Sequence, residues 1–416
     1  MSSPRLWIAL TRPDNLVNAL AVAAATRGAF AGCRLVHEES RWWQPLDWRE
    51  WQVPFDAVHP VRKVPTCRGL RDLPRFHRAL RERQRALSAL PVAPGDTLVL
   101  LAGITALSNA LVSAHPAART ILCVPLKKYA EANESYSFRR HRHTTSGWLQ
   151  HRWLEPRLGL HRTLHLKPWR GGGDGVRIKR LAAPPEAVFD EIVVLSNDGR
   201  ERPPGAGPRV HPAPFPTPRD LPDLLPATAD APPGRKKVVF FGTPFRLVRN
   251  LDPAVYAARL NACLDFLRTH YAPACALVYR PHPAETRERE ALRLDGFTVE
   301  TDGEVAEVYF LRRFREIEAV FSVSSTVSRV ALNFGLNGHA LWRCFPFDGT
   351  AAAYFEGVLG RVPPEFDVRS LDAPPRPYAH RTNPAGGTPR FAETLAALCA
   401  GDKPRRPGHL RRGKGA

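Results

Sequence analysis

A chain of 416 residues is too long for one small core and suits two domains of ordinary size, and its 44% hydrophobic content excludes an intrinsically disordered polypeptide. Lysine and arginine outnumber aspartate and glutamate by 60 to 40, and the resulting +20 implies a negatively charged partner or substrate: nucleotide, nucleic acid, polyanionic glycan or anionic lipid. Seven scattered cysteines, none in a Cys-x-x-Cys pair, argue against a zinc ribbon or a disulfide scaffold and fit a reducing compartment.

In the first half, a short apolar run at 6–10 is followed by Thr-Arg-Pro-Asp-Asn and a helical stretch at 16–29. The Ala-rich segment 16–31 resembles a signal-peptide core, but a strand-like run precedes it, Asn18 interrupts it and ordinary domain sequence follows, so no cleaved signal is expected. No apolar run reaches 18 residues, so no spanning helix is expected either, and the reading is cytoplasmic. Further apolar runs at 33–37, 97–101, 120–124 and 191–195, with a helix at 104–114, read as βαβ units with a parallel sheet. Tryptophans at 42, 43, 48 and 51 suggest an insertion packed on that sheet.

Eleven of the 31 residues at 203–233 are proline, which fixes φ and removes a donor, so the stretch reads as a semi-extended linker. Beyond it, a strand at 237–241 ends in Gly242-Thr243-Pro244, and Asp252-Pro253 starts a helix with an acidic cap and proline at its first position. A strand at 276–279 stops at Arg-Pro-His-Pro, a helix follows at 304–313, then a strand at 319–323, and Ser324-Ser325-Thr326 opens a helix that closes at Gly335. Residues 401–416 carry six Lys/Arg against one acid, amid Pro and Gly, and read as a disordered basic tail. The expected boundaries are 1–202, a linker at 203–234, a second domain at 235–400, and the tail. The fold class is α/β: two Rossmann-like domains facing a central cleft, the GT-B architecture, which by itself does not establish function.

Two motifs carry chemistry. Arg280-Pro281-His282-Pro283 lies at the carboxyl end of a predicted strand, where open α/β sheets hold ligands. Flanking prolines stiffen the backbone, so the histidine can donate to a phosphate oxygen. Ser322-Val323-Ser324-Ser325-Thr326-Val327-Ser328 spans a strand-to-helix junction, where free amides, the helix dipole and hydroxyls favour an anion. Each motif alone favours an ordinary turn or N-cap. Together, on successive strand ends of one domain, they can face one crevice.

With both motifs in place, the region from about Lys237 to Cys344, including Phe240-Phe241-Gly242-Thr243-Pro244, resembles the bacterial GT-B sialyltransferases and their polysialyltransferase-like branch. The resemblance implies an inverting, metal-independent transfer of a sialic-type acid from a CMP-activated donor to a hydroxyl of a cell-surface glycan, without a further cofactor. It implies that His282 contacts the donor phosphate together with Ser324 and Ser325, with Thr326 as a third donor and Arg280 beside them. Glu304 is similar in place to an acid that bonds the nucleotide ribose. The family's base is an acidic pair before glycine; here Ser196-Asn197-Asp198-Gly199 keeps only Asp198, with Glu201 and Asp302 as substitutes. No Asp-x-Asp triplet offers an obvious metal site.

Basic residues interleave with Tyr129, Tyr136 and Phe138 across 127–143, and Arg162, Lys167, Trp169 and Arg170 follow, a pattern suited to an anionic acceptor. The basic surface and tail also suit peripheral contact with an anionic membrane. Gly171-Gly172-Gly173-Asp174-Gly175 has neither a preceding strand nor a following Lys-Ser/Thr and reads as a loop; His37-Glu38-Glu39 lacks zincin spacing. Three other readings stay open: a GT-B enzyme using another nucleotide sugar for capsule or lipopolysaccharide synthesis, a non-catalytic relative, and a basic nucleic-acid-binding protein. The last offers no reason for the ordered motifs and shows no nucleic-acid module, so no nucleic acid is expected as partner.

Overall fold

The structure, a computed structural model, describes residues 3–11, 15–39, 55–63, 70–101, 106–126, 129, 164–166, 178–181, 186, 189–196, 199, 202–203, 205–216, 221, 234–243, 251–282, 285, 287–324, 326–359, 362–377 and 390–401. The apolar runs of the first half become inner strands: β1 (Leu6–Leu10) and β4 (Thr97–Leu101) are buried along their whole length, as strands covered on both faces must be. Around them lie α1 (Leu16–Ala25), β2 (Cys33–Glu38), β3 (Ala57–Val61), α2 (Leu73–Ser88), α3 (Ala106–Ala114), β5 (Arg119–Pro125), the small antiparallel pair β6 (Leu164–Leu166) and β7 (Ile178–Leu181), β8 (Glu191–Ser196) and β9 (Val210–Pro214). The main sheet is parallel throughout, in the order β3-β2-β1-β4-β5-β8-β9. The Trp cluster at 42–51 lies outside the described residues.

β9 falls inside the stretch expected to be linker, so the first unit reaches past residue 202. Prolines are tolerated because the strand is at the sheet edge. Ile192 N–H donates to the Arg209 carbonyl at 2.9 Å, and Ile192 pairs with Val210. That register turns the amides of His211 and Ala213 toward β8 and leaves Pro212 and Pro214 with their nitrogens on the open side, where a missing donor blunts the edge.

The Ala-rich run forms only α1, which ends where the Thr26 amide and hydroxyl both donate to the Val22 carbonyl, at 3.1 and 2.8 Å, and Gly28 takes φ 85°. Its apolar side chains are buried nearly all round because a helix from the far end of the chain, α8 (Phe391–Ala400), packs on it and on β9. The buried Arg119 guanidinium donates to the Gly401 carbonyl at 2.6 Å and anchors the end of α8. The second domain, expected to run to residue 400, therefore stops short of α8, which belongs to the first unit.

The second unit contains β10 (Lys237–Phe241), α4 (Pro253–Tyr271), β11 (Ala276–Arg280), β12 (Phe297–Val299), α5 (Ala306–Arg313), β13 (Ile317–Ser322), α6 (Thr326–Asn333), β14 (Asn337–Ala340) and α7 (Gly349–Leu359). Asp252 caps α4 as expected, its carboxylate accepting from the amides of Ala254 and Val255 at 2.8 and 3.2 Å. The sheet is again parallel, ordered β12-β11-β10-β13-β14. Val238, Phe240, Tyr279 and Phe321 pack with Leu260, Leu264 and Trp342 into its core. In this order the chain leaves β10 toward one side and later returns to its other side at β13, making a switch point between them. The two units are thus both parallel-sheet, Rossmann-like α/β folds.

Candidate functional site

Strand register brings the two motifs to one level. Phe241 of β10 pairs with Arg280 of β11 on one side and with Ser322 of β13 on the other. At about 4.8 Å per strand step, His282 and Ser324, each two residues further on, leave backbones roughly 10 Å apart, with the end of β10 between them. His282 and Ser324 are both half-buried, and Thr326 is exposed at the first turn of α6. Ser325 lies outside the described residues. Between the two arms, the Thr243 hydroxyl is buried without a hydrogen-bond partner, although its carbonyl accepts from the Tyr256 hydroxyl at 3.1 Å. Buried polar groups are nearly always paired, so an unpaired hydroxyl at a strand end invites a ligand.

α6 is aimed by its hidden face. Ser322 and Ser328 are fully buried, their hydroxyls 2.7 Å apart, and Ser328 donates on to the His339 carbonyl at 2.7 Å. A Cβ on Gly338 would fall 2.0 Å from the Ser328 carbonyl oxygen, so only glycine lets β14 lie this close to the helix. The outer serines of the motif thus build the core, and Ser324 and Thr326 remain at the strand end. The helix closes as expected at Gly335, φ 79°, with the Leu336 amide on the Ala331 carbonyl and the Gly335 amide on that of Leu332.

Arg280 does a different task from the one the resemblance implies. Its guanidinium is buried, with Nη1 2.8 Å from Glu300 Oε2 and 3.1 Å from Asp302 Oδ2, and Nη2 2.6 Å from Asp302 Oδ1 and 3.1 Å from the Glu304 carbonyl. It also lies over the Tyr309 ring at 4.0 Å. Both terminal nitrogens are committed to protein acceptors, so Arg280 organises the 300–304 turn instead of presenting its fork to a phosphate. Asp302 in turn accepts from the Glu304 amide at 3.0 Å, and Gly303 takes φ 74°. These bonds hold Glu304 outside α5, which starts at Ala306 and not at the expected 304.

Burial alone would raise Asp302, but hydrogen bonds from Arg280 and the Glu304 amide outweigh it and hold its carboxyl below the ordinary value. A carboxylate so engaged is a poor base, which removes Asp302 as a substitute for Asp198. Glu304 shifts the other way: burial raises it, and Arg312, 3.2 Å away, only partly offsets this. Asp198 and Glu201 lie outside the described residues. Beside Asp198, Gly199 sits at φ 67° and its amide donates to Ser196 Oγ at 3.1 Å. Of the aromatic-basic stretch at 127–143, the described Tyr129 is buried and bonds Glu186, so it belongs to the core and not to an acceptor groove.

One residue of this region carries almost no sequence signal. The Glu285 carboxylate accepts from the Tyr279 hydroxyl at 3.0 and 3.1 Å and from the His282 amide at 3.1 Å. The only hint in the sequence is the spacing of Tyr279, His282 and Glu285 by threes. Among the described residues, no three of His, Cys, Asp or Glu come together as a metal-ion site, and no helix is long and apolar enough to cross a membrane.

No family model matches the chain, and no curated protein matches it. Solved structures similar to it include S. aureus MnaA with UDP, at 11% identity over 82% of this chain and 79% of that one, TM-score 0.47. The UDP-GlcNAc 2-epimerase of Neisseria meningitidis bound to UDP-GlcNAc is 10% identical over 81% and 82%, TM-score 0.44. The glycotransferase of kitacinnamycin is 13% identical over 96% and 91%, TM-score 0.42. Likenesses this distant assign neither a family nor an activity.

Proposed function

We propose that the chain is a GT-B-type glycosyltransferase whose second unit binds the phosphate of a nucleotide-activated sugar. One observation carries this reading: three adjacent strand ends at the switch point hold the half-buried His282, the unpaired Thr243 hydroxyl, and Ser324 with the first turn of α6. A nucleoside phosphate is already a fair leaving group, so the enzyme has to position the reactants and offset charge. In this reading, Asp198 takes the proton of an acceptor hydroxyl, whose oxygen attacks the anomeric carbon opposite the phosphate. The carbon–oxygen bond to the phosphate breaks with inversion, and His282, Thr243, Ser324 and Ser325 stabilise the departing nucleotide. Glu304, set by Arg280, accepts from a ribose hydroxyl.

The donor is a nucleotide sugar of a class that these residues do not fix. UDP sugars are the first to test. The His-Pro and Ser-Ser motifs favour CMP-activated sialic acid as the second donor, and the basic composition favours an anionic glycan or membrane-borne acceptor of capsule or lipopolysaccharide type.

A thermal-shift and calorimetric panel of CMP, UDP and GDP on wild type and His282→Ala tests the proposal. One nucleotide is expected to bind and to lose about tenfold or more in the variant, the range for a hydrogen bond to a charged group. Binding to none of the three overturns the reading. Tight, salt-sensitive DNA or RNA binding at about 0.1 M salt with no nucleotide bound would favour the nucleic-acid alternative instead.

A further inference from the structure

We propose that Glu285 is a positioning residue for His282, fixing the turn after β11 by a latch to Tyr279 and β10; this rests on His282 as the phosphate-binding group. The latch closes from both directions. The His282 amide donates to Glu285 Oε2 at 3.1 Å, and the Glu285 amide donates back to the His282 carbonyl at 2.7 Å. Its far end is anchored on the Tyr279 hydroxyl, and that ring is fully buried and stacked on Phe240, centroids 5.7 Å apart and planes 7° apart. A Cβ on Gly242 would come within 2.5 Å of both carboxylate oxygens and 2.6 Å of the Tyr279 hydroxyl, so the carboxylate presses directly on the end of β10.

Electrostatics make this placement informative. A carboxylate beside a phosphate site repels the ligand, even through water. Its retention there calls for an offsetting task, and its bonds describe one. Fixing a backbone residue costs conformational entropy. A turn already closed around His282 does not meet that cost when the ligand arrives.

The test uses the full chain with Glu285→Ala, Glu285→Gln and Gly242→Ala, each checked for native circular dichroism. Nucleotide affinity is read by calorimetry with CMP and UDP, and the turn by hydrogen exchange of the His282 amide. Glu285→Ala opens the latch directly. Gly242→Ala opens it from the other side, since the added methyl displaces the movable carboxylate and not the stacked Tyr279. Both are expected to weaken nucleotide binding about tenfold and to speed exchange at His282. Their double variant is expected to be no worse than either alone, as for two lesions of one contact.

Glu285→Gln keeps an acceptor for the His282 amide and a donor for the Tyr279 oxygen, so it is expected to stay within about threefold of wild type. Equal loss in Gln and Ala overturns the latch, because Gln keeps its hydrogen bonds, and wild-type affinity in Glu285→Ala overturns it outright. If wild type binds no nucleotide, the functional reading fails by itself. The exchange rate then decides the latch: faster exchange in Glu285→Ala upholds it, and an unchanged rate overturns it.

Discussion

Replacing Arg280 with glutamine removes the group that gathers Glu300, Asp302 and the Glu304 carbonyl into one turn. Breaking a fully buried ion pair costs about 3–5 kcal/mol. Here the loss is smaller, because Asp302 is nearly half exposed and regains water, and Glu300 keeps Arg313 at 3.5 Å. About 2–3 kcal/mol is expected, and at about 2–4 °C per kcal/mol for a unit of this size the melting temperature falls by roughly 5–10 °C. Acid titration adds a signature. In wild type, the stability due to Asp302 is complete above its ordinary pKa of 3.8 and is lost as pH falls through its depressed folded value. In Arg280→Gln the bonds and charge that depress Asp302 are mostly gone, so this contribution is missing at neutral pH and the acid limb due to Asp302 shrinks. Freed from its turn, Glu304 also stops favouring ribose, so affinity for CMP or UDP falls toward that of the deoxynucleotide. Melting curves from pH 2.5 to 7, with paired ribo- and deoxynucleotide titrations, measure all three effects. A melting temperature within about 1 °C of wild type, or unchanged ribose discrimination, refutes the organising role.

Burial holds the His339 imidazole down at about 4, with its Nδ1 donating to the Glu365 carbonyl at 3.0 Å. The unfolded chain therefore takes up a proton first, and stability declines as pH falls from 6.5 toward about 4, by roughly 3 kcal/mol in all. His339→Phe should flatten that limb in pH-dependent melting, and an unchanged slope counts against the assignment. Gly338→Ala drives a methyl into the Ser328 carbonyl and should cost about 3 kcal/mol or prevent folding; a freely soluble variant with wild-type melting contradicts the close approach. Arg312→Gln removes the cation that restrains Glu304, so the acid limb of nucleotide affinity should move to higher pH, and a stationary limb excludes ionised Glu304 from binding.

The inner strands and the cap of α4 were legible because each depends on local pattern: an unbroken apolar run for a strand buried on both faces, and Asp-Pro for a helix start. β14 was not, because Asn-Gly-His-Ala contains no strand former and exists as a strand through the approach that Gly338 permits. β12 spans three mostly exposed residues, too few to show alternation. β9 was hidden by its prolines, which forbid a central strand and say nothing against an edge. At the site, His282, Ser324 and Thr326 were marked by strand-end position, whereas Arg280 read as a ligand group because its sequence neighbours do not reveal the carboxylates 20 and 22 residues away.

By itself the amino-acid sequence determined two alternating α/β regions, the strands that form each sheet centre, and the placement of a His-Pro turn and a serine-rich helix start at strand ends. Hydrophobic period and turn chemistry act over a few residues, so they carry that much. Only tertiary structure decided that α8 returns to cover α1, that Arg280 serves Glu304, and that Glu285 latches the His282 turn. Each of these depends on which distant groups meet after the chain has folded, and neither propensity nor spacing records that meeting.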